Sequence, residues 1–184
     1  MGDALVSYAS GTSAAPLLGE TIGENLERAA ARYPGREALV DVAAGRRWTY
    51  AEFDAAVNEV ALGLLAVGIA KGERVGIWAP NCAEWVLTQY ATAKIGAILV
   101  NVNPAYRAYE LDYVVRQSGM RLMVSAVAHR ESDYRAMLAE IGFGQAVFIG
   151  EPGWDELVAA GRRADPAALG ERAATLAFDD LINI

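Results

Sequence analysis

Few side chains in this sequence are of the types that do covalent or acid–base work near neutral pH. There is one histidine, His129, and one cysteine, Cys82. His129 stands near a predicted helix start beside Arg130 and Glu131, where a solvated or capping imidazole is the plain reading. Cys82 falls in the first turn of a predicted helix. Such a position can lower a thiol pKa, but a small buried hydrophobe is the preferred reading. One His and one Cys supply neither a zinc ligand set nor a Cys–His dyad without partners that the sequence does not offer. Phosphate cradles are missing as well. Gly142-Phe143-Gly144 lacks the third glycine of a dinucleotide turn, and neither Lys71 nor Lys94 has the flanks of a phosphate-loop lysine. No catalytic residue and no metal ligand is therefore named. Charged groups remain. Arg28, Arg32 and Arg36, with Arg46-Arg47, read as a solvated face near Glu24, Glu27 and Glu37; a membrane-surface or anionic-ligand role is the alternative. Tyr106 and Arg107 lie just past a predicted strand, and crevices beyond the carboxyl ends of parallel strands are where open α/β sheets bind ligands.

The elements that must position these groups follow from hydrophobic period and turn chemistry. Thr21 and Glu24 form a capping-box spacing ahead of a helix that continues over Asn25 to Tyr33 and stops at Pro34-Gly35. Glu37 to Val42 and Arg46 to Thr49 read as a hairpin around Ala43-Ala44-Gly45. Thr49 and Glu52 repeat the capping box and open the longest helix. Phe53, Val57, Val60, Leu64 and Val67 make its apolar stripe, and Gly68 ends it. Arg74 to Ala79 is a strand broken by Pro80-Asn81. Asn81 and Glu84 have a third capping-box spacing, before a helix with Val86, Leu87, Tyr90, Ala91 and Ile95 on one side. Gly96 ends that helix, and Ala97 to Val102 is the next strand. A strand–helix–strand unit of about thirty residues is the size of a parallel crossover. Its strands are continuously apolar, as strands covered on both faces are.

Further on, Tyr109 to Gln117 is an amphipathic helix closed by Gly119. Arg121 to Ala126 is a strand, His129 to Glu140 a helix, and Ala146 to Ile149 a strand. Trp154 to Gly161 and Pro166 to Ala174 are helical. Alternation of this kind predicts a doubly wound α/β fold, a mostly parallel sheet flanked by helices, with a small N-terminal hairpin. Residues 1–18, small and polar, are expected to be a flexible tail.

The 184 residues suffice for one domain with a core. Their 54% hydrophobic content excludes disorder over most of the chain. A net charge of −7 argues against a nucleic-acid partner held through phosphates. A lone cysteine rules out an internal disulfide and fits a reducing compartment. The longest apolar run, Val60 to Ala70, is too short to span a bilayer, and the first residues lack the pattern of a signal peptide. A soluble, cytoplasmic protein is expected.

Several segments carry a resemblance to a known family. Trp48-Thr49-Tyr50-Ala51-Glu52-Phe53 resembles the first shared motif of the acyl-adenylate-forming enzymes. Gly72 to Ile77 and Pro80-Asn81 resemble the strand and turn that follow it. Ala93-Lys94-Ile95-Gly96-Ala97 resembles the second motif. Asn103-Pro104-Ala105-Tyr106-Arg107, Glu110-Leu111 and Gln117-Ser118-Gly119 are similar to the fatty acyl-CoA synthetase branch. The resemblance runs over residues 20–184 and rests on the order and spacing of the motifs. It implies the N-terminal subdomain of that fold, and a parent activity that joins a fatty acid of long or medium chain to coenzyme A. ATP and magnesium would serve the first step, giving an acyl-adenylate and pyrophosphate; the thiol of coenzyme A would then displace AMP.

By the same resemblance, the Ser/Thr/Gly-rich phosphate loop begins just after a segment like Asp179 to Ile184. Residues 19–184 are thus expected to be a subdomain cut before the ATP site, inactive alone, with no cofactor bound and an apolar patch near Leu181 to Ile184. The resemblance carries over Tyr106, Arg107 and Arg130 as contacts of the coenzyme A nucleotide, and allows homodimer contacts through the N-terminal helices. A stand-alone α/β binding or interaction module is the alternative.

Overall fold

The computed structural model describes residue 15 and residues 18–184, so most of the expected tail, residues 1–18, lies outside the described residues. The chain begins with α1 (Ile22–Arg32), whose capping box is present: the Glu24 amide donates to Thr21 Oγ1 at 3.2 Å and Glu24 Oε2 accepts from the Thr21 amide at 2.7 Å. Strands β1 (Glu37–Asp41) and β2 (Arg46–Thr49) pair as the antiparallel hairpin. The Thr49–Glu52 box then opens α2 (Tyr50–Ala66). Phe53, Val57, Val60 and Leu64 are buried as the stripe predicts, but Val67, just past the last turn, is 48% exposed.

Next come β3 (Arg74–Trp78), α3 (Ala83–Ile95) and β4 (Ile98–Asn101). The capping box expected at Asn81 and Glu84 does not form. Cys82, extended at φ −153°, is the N-cap and makes no side-chain cap bond. Glu84 instead accepts from Arg46 at 2.6 Å, a guanidinium that also pairs with Asp41 at 3.1 Å. Gly96 closes α3 in the left-handed region at φ 67°.

Helix α4 (Ala108–Ser118) and β5 (Leu122–Ser125) follow as expected. The helix expected over His129 to Glu140 is shorter. Residues β6 (Ala128–His129) and β7 (Ser132–Asp133) pair as a minimal hairpin, and α5 (Tyr134–Glu140) begins only after Asp133, whose carboxylate accepts from the Ala136 amide at 2.9 Å. The cap sits one turn later than hydrophobic period alone locates it. Strand β8 (Ala146–Phe148) and helices α6 (Pro152–Arg163) and α7 (Ala167–Ala173) complete the order.

Strands β4-β3-β5-β8 form one parallel sheet in that order. Alternate residues of a strand face opposite sides, and both sides are covered. Val75 and Ile77 of β3 join Leu99, Leu122 and Val124 in a core packed by α1, α2, α3 and α6 through Leu26, Val57, Leu64, Ala91 and Trp154. Trp78, Val100 and Met123 face the other way, against Leu111 of α4 and Tyr134 and Leu138 of α5. This is the doubly wound arrangement expected. Beyond β4, residues 182–184 add a further parallel contact: the Leu99 amide donates to the Ile182 carbonyl and the Ile184 amide to the Leu99 carbonyl, each at 2.9 Å. Phe178, Leu181 and Ile184 are exposed beside it. Among the described residues no helix is long and apolar enough to cross a membrane.

The first core is closed by a polar anchor and a bare backbone contact. Lys94 of α3 is 2% exposed at its side chain, and its ammonium donates to Glu27 of α1 at 2.7 Å and to Asp54 and Asn58 of α2 at 2.8 and 2.7 Å. Where α2 and α6 cross, a methyl on Gly161 would sit 1.8 Å from the Glu59 carbonyl oxygen. Backbone cannot yield that distance, so Gly161→Ala is expected to lower stability by about 3 kcal/mol or more in urea unfolding; a loss under half that would mean the helices separate freely.

The Arg46 cluster sets an acid limb. Burial alone would push the Glu84 carboxyl up, but the Arg46 hydrogen bond and charge outweigh it and hold the group below its ordinary value. Asp41 is also held low, by the Ala44 amide and then by Arg46. Carboxyls with depressed folded pKa values stabilise fully above the ordinary value, about 4, and lose that contribution as pH falls through the folded value. Thermal melts of Arg46→Met are expected to show lower stability at neutral pH and a flatter decline from about pH 4 downward than the parent chain.

Candidate anion-binding cleft at the carboxyl edge of the sheet

Two loops leave the carboxyl ends of the strands and face each other. One, residues 103–107, follows β4; the other is the β6–β7 turn after β5. Trp78, the last residue of β3, lies beneath them with its ring stacked on Tyr134 at 3.6 Å between centroids and 10° between planes. The Trp78 indole N–H donates to the Asn103 carbonyl at 3.0 Å, and the Tyr134 hydroxyl donates to the next carbonyl, that of Pro104, at 2.6 Å. Asn103 folds back on its own loop, its side-chain oxygen accepting from the Ala105 amide at 2.9 Å. The loop ends at Arg107, the N-cap of α4, whose Nη1 donates to Ser132 Oγ across the gap at 2.6 Å. Burial pushes the Tyr134 hydroxyl up from its ordinary value.

These walls enclose a cleft of about 540 Å³ bounded by residues 103–105, Arg107 and 129–132. Arg107, Arg130 and His129 line it, with Glu131 as the single carboxylate. Among the described residues neither guanidinium has a carboxylate at ion-pair distance: Arg107 meets only a neutral hydroxyl, and Arg130 has no hydrogen-bond partner. Arg130 is also the one residue other than glycine in the left-handed region among those described, at φ 54°. Strain of that kind at a charged, unpaired side chain is typical of a site that presents a group to a ligand.

Of the three residues expected at a nucleotide, Arg107 and Arg130 line the cleft. Tyr106 does not; it is half-buried and packs against the second core beside α4 and α5. His129, read as a solvated or capping residue, sits in a strand rather than at a helix start and faces the cleft. Sequence reasoning missed Trp78, Tyr134 and Ser132. Their only signal was a tryptophan at a strand end and a tyrosine inside an apparent helix, and neither announces a partner in a distant loop.

The remaining sequence candidates are accounted for elsewhere. Burial pushes the Cys82 thiol up, away from a reactive thiolate. Arg28 pairs with Glu20, Arg47 with Glu37, and Arg32 and Arg36 lie over the Tyr33 ring. Among the described residues no group of His, Cys, Asp and Glu is arranged to hold a metal ion.

A parallel sheet with helices on both faces and a cleft past its strand ends defines a doubly wound α/β domain. The sequence profile described as AMP-binding enzyme matches residues 26–173, and the chain belongs to that family. Medium-chain acyl-CoA ligase ACSF2 of Macaca fascicularis, mitochondrial by its name, is 44% identical over 136 residues, covering 74% of this chain and 22% of that protein. YngI of Bacillus subtilis is 37% identical, covering 92% of this chain and 35% of its own length. The crystal structure of the N-terminal domain of FACL13 from Mycobacterium tuberculosis matches with a TM-score of 0.71 at 28% identity, over 90% of this chain and 41% of that one. The chain spans about a fifth to a third of the curated relatives it matches, and its fold is that of the N-terminal domain of a fatty acyl-CoA synthetase.

The strain at Arg130 has a measurable consequence. A left-handed backbone costs a side-chain-bearing residue about 1–2 kcal/mol, partly offset by the greater unfolded freedom of glycine. Arg130→Gly is expected to leave thermal stability unchanged or raise it by about 1 kcal/mol. A clear loss would mean that the guanidinium holds the turn together.

Proposed function

We propose that this chain is the N-terminal subdomain of a fatty acid–CoA ligase, in which a medium- or long-chain fatty acid, ATP and coenzyme A give acyl-CoA, AMP and pyrophosphate. The family, the fold and the acyl-CoA ligase relatives support this reading. In it, ATP and magnesium belong to the parent enzyme and are held outside these residues, which contain neither a phosphate loop nor a metal cluster among those described. Coenzyme A supplies the thiol that receives the acyl group, and its nucleotide lies in the cleft. The observation that carries this is the pair of arginines without a carboxylate partner: a polyanion compensates Arg107 and Arg130 where the protein does not. Arg107 is braced by Ser132, so it meets the ligand in one orientation, whereas Arg130 extends from a strained turn. Tyr106 contributes by packing the loop onto the second core rather than by touching the nucleotide.

The test is thioester formation from ATP, coenzyme A and a series of fatty acids. It compares the 184-residue chain with a chimera completed by the downstream region of YngI. Activity is expected in the chimera only. In that chimera Arg107→Ala should raise KM for coenzyme A about tenfold, the worth of one charge-assisted contact, and leave KM for the fatty acid unchanged. Thioester formation by the 184-residue chain alone would overturn the reading, as would an unaltered KM for coenzyme A.

A further inference from the structure

Two consecutive carbonyls of one loop, those of Asn103 and Pro104, are each held by an aromatic side chain, and the two aromatic rings are stacked on each other. Trp78 belongs to the centre of the sheet and Tyr134 to the first turn of α5, directly after the β6–β7 turn. The pair therefore joins three parts: the strand that cannot move, the loop that ends in Arg107, and the segment that carries Arg130. Both rings are fully buried, so the stack has no freedom to slide. We propose that Tyr134 is a positioning residue for the nucleotide of coenzyme A: its hydroxyl fixes the Pro104 carbonyl and thereby sets the distance between the two arginine-bearing walls of the cleft. This rests on the coenzyme A reading of the cleft given above.

The mechanism is preorganisation. A loop of five residues with Arg107 at its end has several conformations unless its backbone is tied, and each costs affinity when a ligand selects one of them. The Asn103 Asx turn shapes the loop locally and Tyr106 packs it on the second core, while the two aromatic donors fix its carbonyls to β3 and α5. The Arg107–Ser132 bond then closes the frame on the opposite wall. Removing the tyrosine hydroxyl leaves the ring stack and the core intact while freeing one of the two ties.

Binding of coenzyme A to the 184-residue chain, measured by isothermal titration calorimetry, tests the proposal with two variants. Tyr134→Phe deletes only the donor and is expected to weaken binding about fivefold, the worth of one ordinary hydrogen bond, with a small change in Tm. Leu138→Ala opens a cavity in the same helix and core but keeps both aromatic donors. It is expected to lower Tm more than Tyr134→Phe does, yet to keep the affinity within about twofold. Equal affinity in Tyr134→Phe and the parent chain would overturn the positioning role. Loss of affinity in step with lost stability in both variants would overturn it too, because the effect would then be general loosening. A parent chain that fails to bind coenzyme A would instead overturn the reading of the cleft itself.

Discussion

The first face of the sheet depends on one buried ammonium. Lys94 has three acceptors for its three protons, from two helices other than its own, so the charge is fully satisfied where water cannot reach it. A buried charge left unpaired is strongly unfavourable, and this makes the relative placement of α1, α2 and α3 a condition for folding rather than a preference. Gly23 belongs to the same arrangement: a methyl there would lie 3.0 Å from Lys94 Cγ, so α1 comes close enough for Glu27 to reach only because the side chain is missing. The lysine that stands in the second shared motif thus holds three helices together.

The two faces divide the work. One is thick, covered by α1, α2, α3, α6 and α7, and is locked by Lys94 and by the bare contact of α2 with α6. The other carries only α4 and α5, and the cleft opens at its rim. Gly76 makes this thinner face possible, because a methyl there would fall 2.6 and 2.7 Å from the Met120 and Met123 sulfurs that fill the space over the central strand. Trp78, two residues on, rests on this packing. The loops that face solvent are therefore fastened to the most rigid strand of the sheet, which is how a loop can be exposed and still present its arginines in fixed positions.

Much of this was legible in the residues, and the exceptions have one cause. Capping boxes at Thr21 and Thr49 formed because every partner lies within one turn. The same spacing at Asn81 failed because Glu84 is taken by Arg46, 38 residues upstream, in a half-buried ion pair that replaces the local cap. The shortened α5 was illegible for a related reason: its apolar period extends back past Asp133, but the backbone before it is drawn into a hairpin. At the cleft, Arg107 could be named from its position past a strand end, and Arg130 only from the family resemblance. Trp78 and Tyr134 could not, since their role exists only through carbonyls of a loop far away in sequence. Tyr106, next to Arg107 in sequence, packs against the second core.

The pairing of residues 182–184 with Leu99 bears on how the molecule is built up. The crossovers β3–α3–β4, β4–α4–β5 and β5–α5–β8 each join elements close along the chain, so the entropy lost in closing them is modest. Bringing Asn183 beside Leu99 closes a much longer loop, for a few backbone bonds at the sheet's margin and a cluster of side chains still open to water. Contacts of that kind belong to the low-stability end of a fold, which opens locally before the core does. The pairing at Leu99 is thus the least firmly held part of the sheet among the described residues.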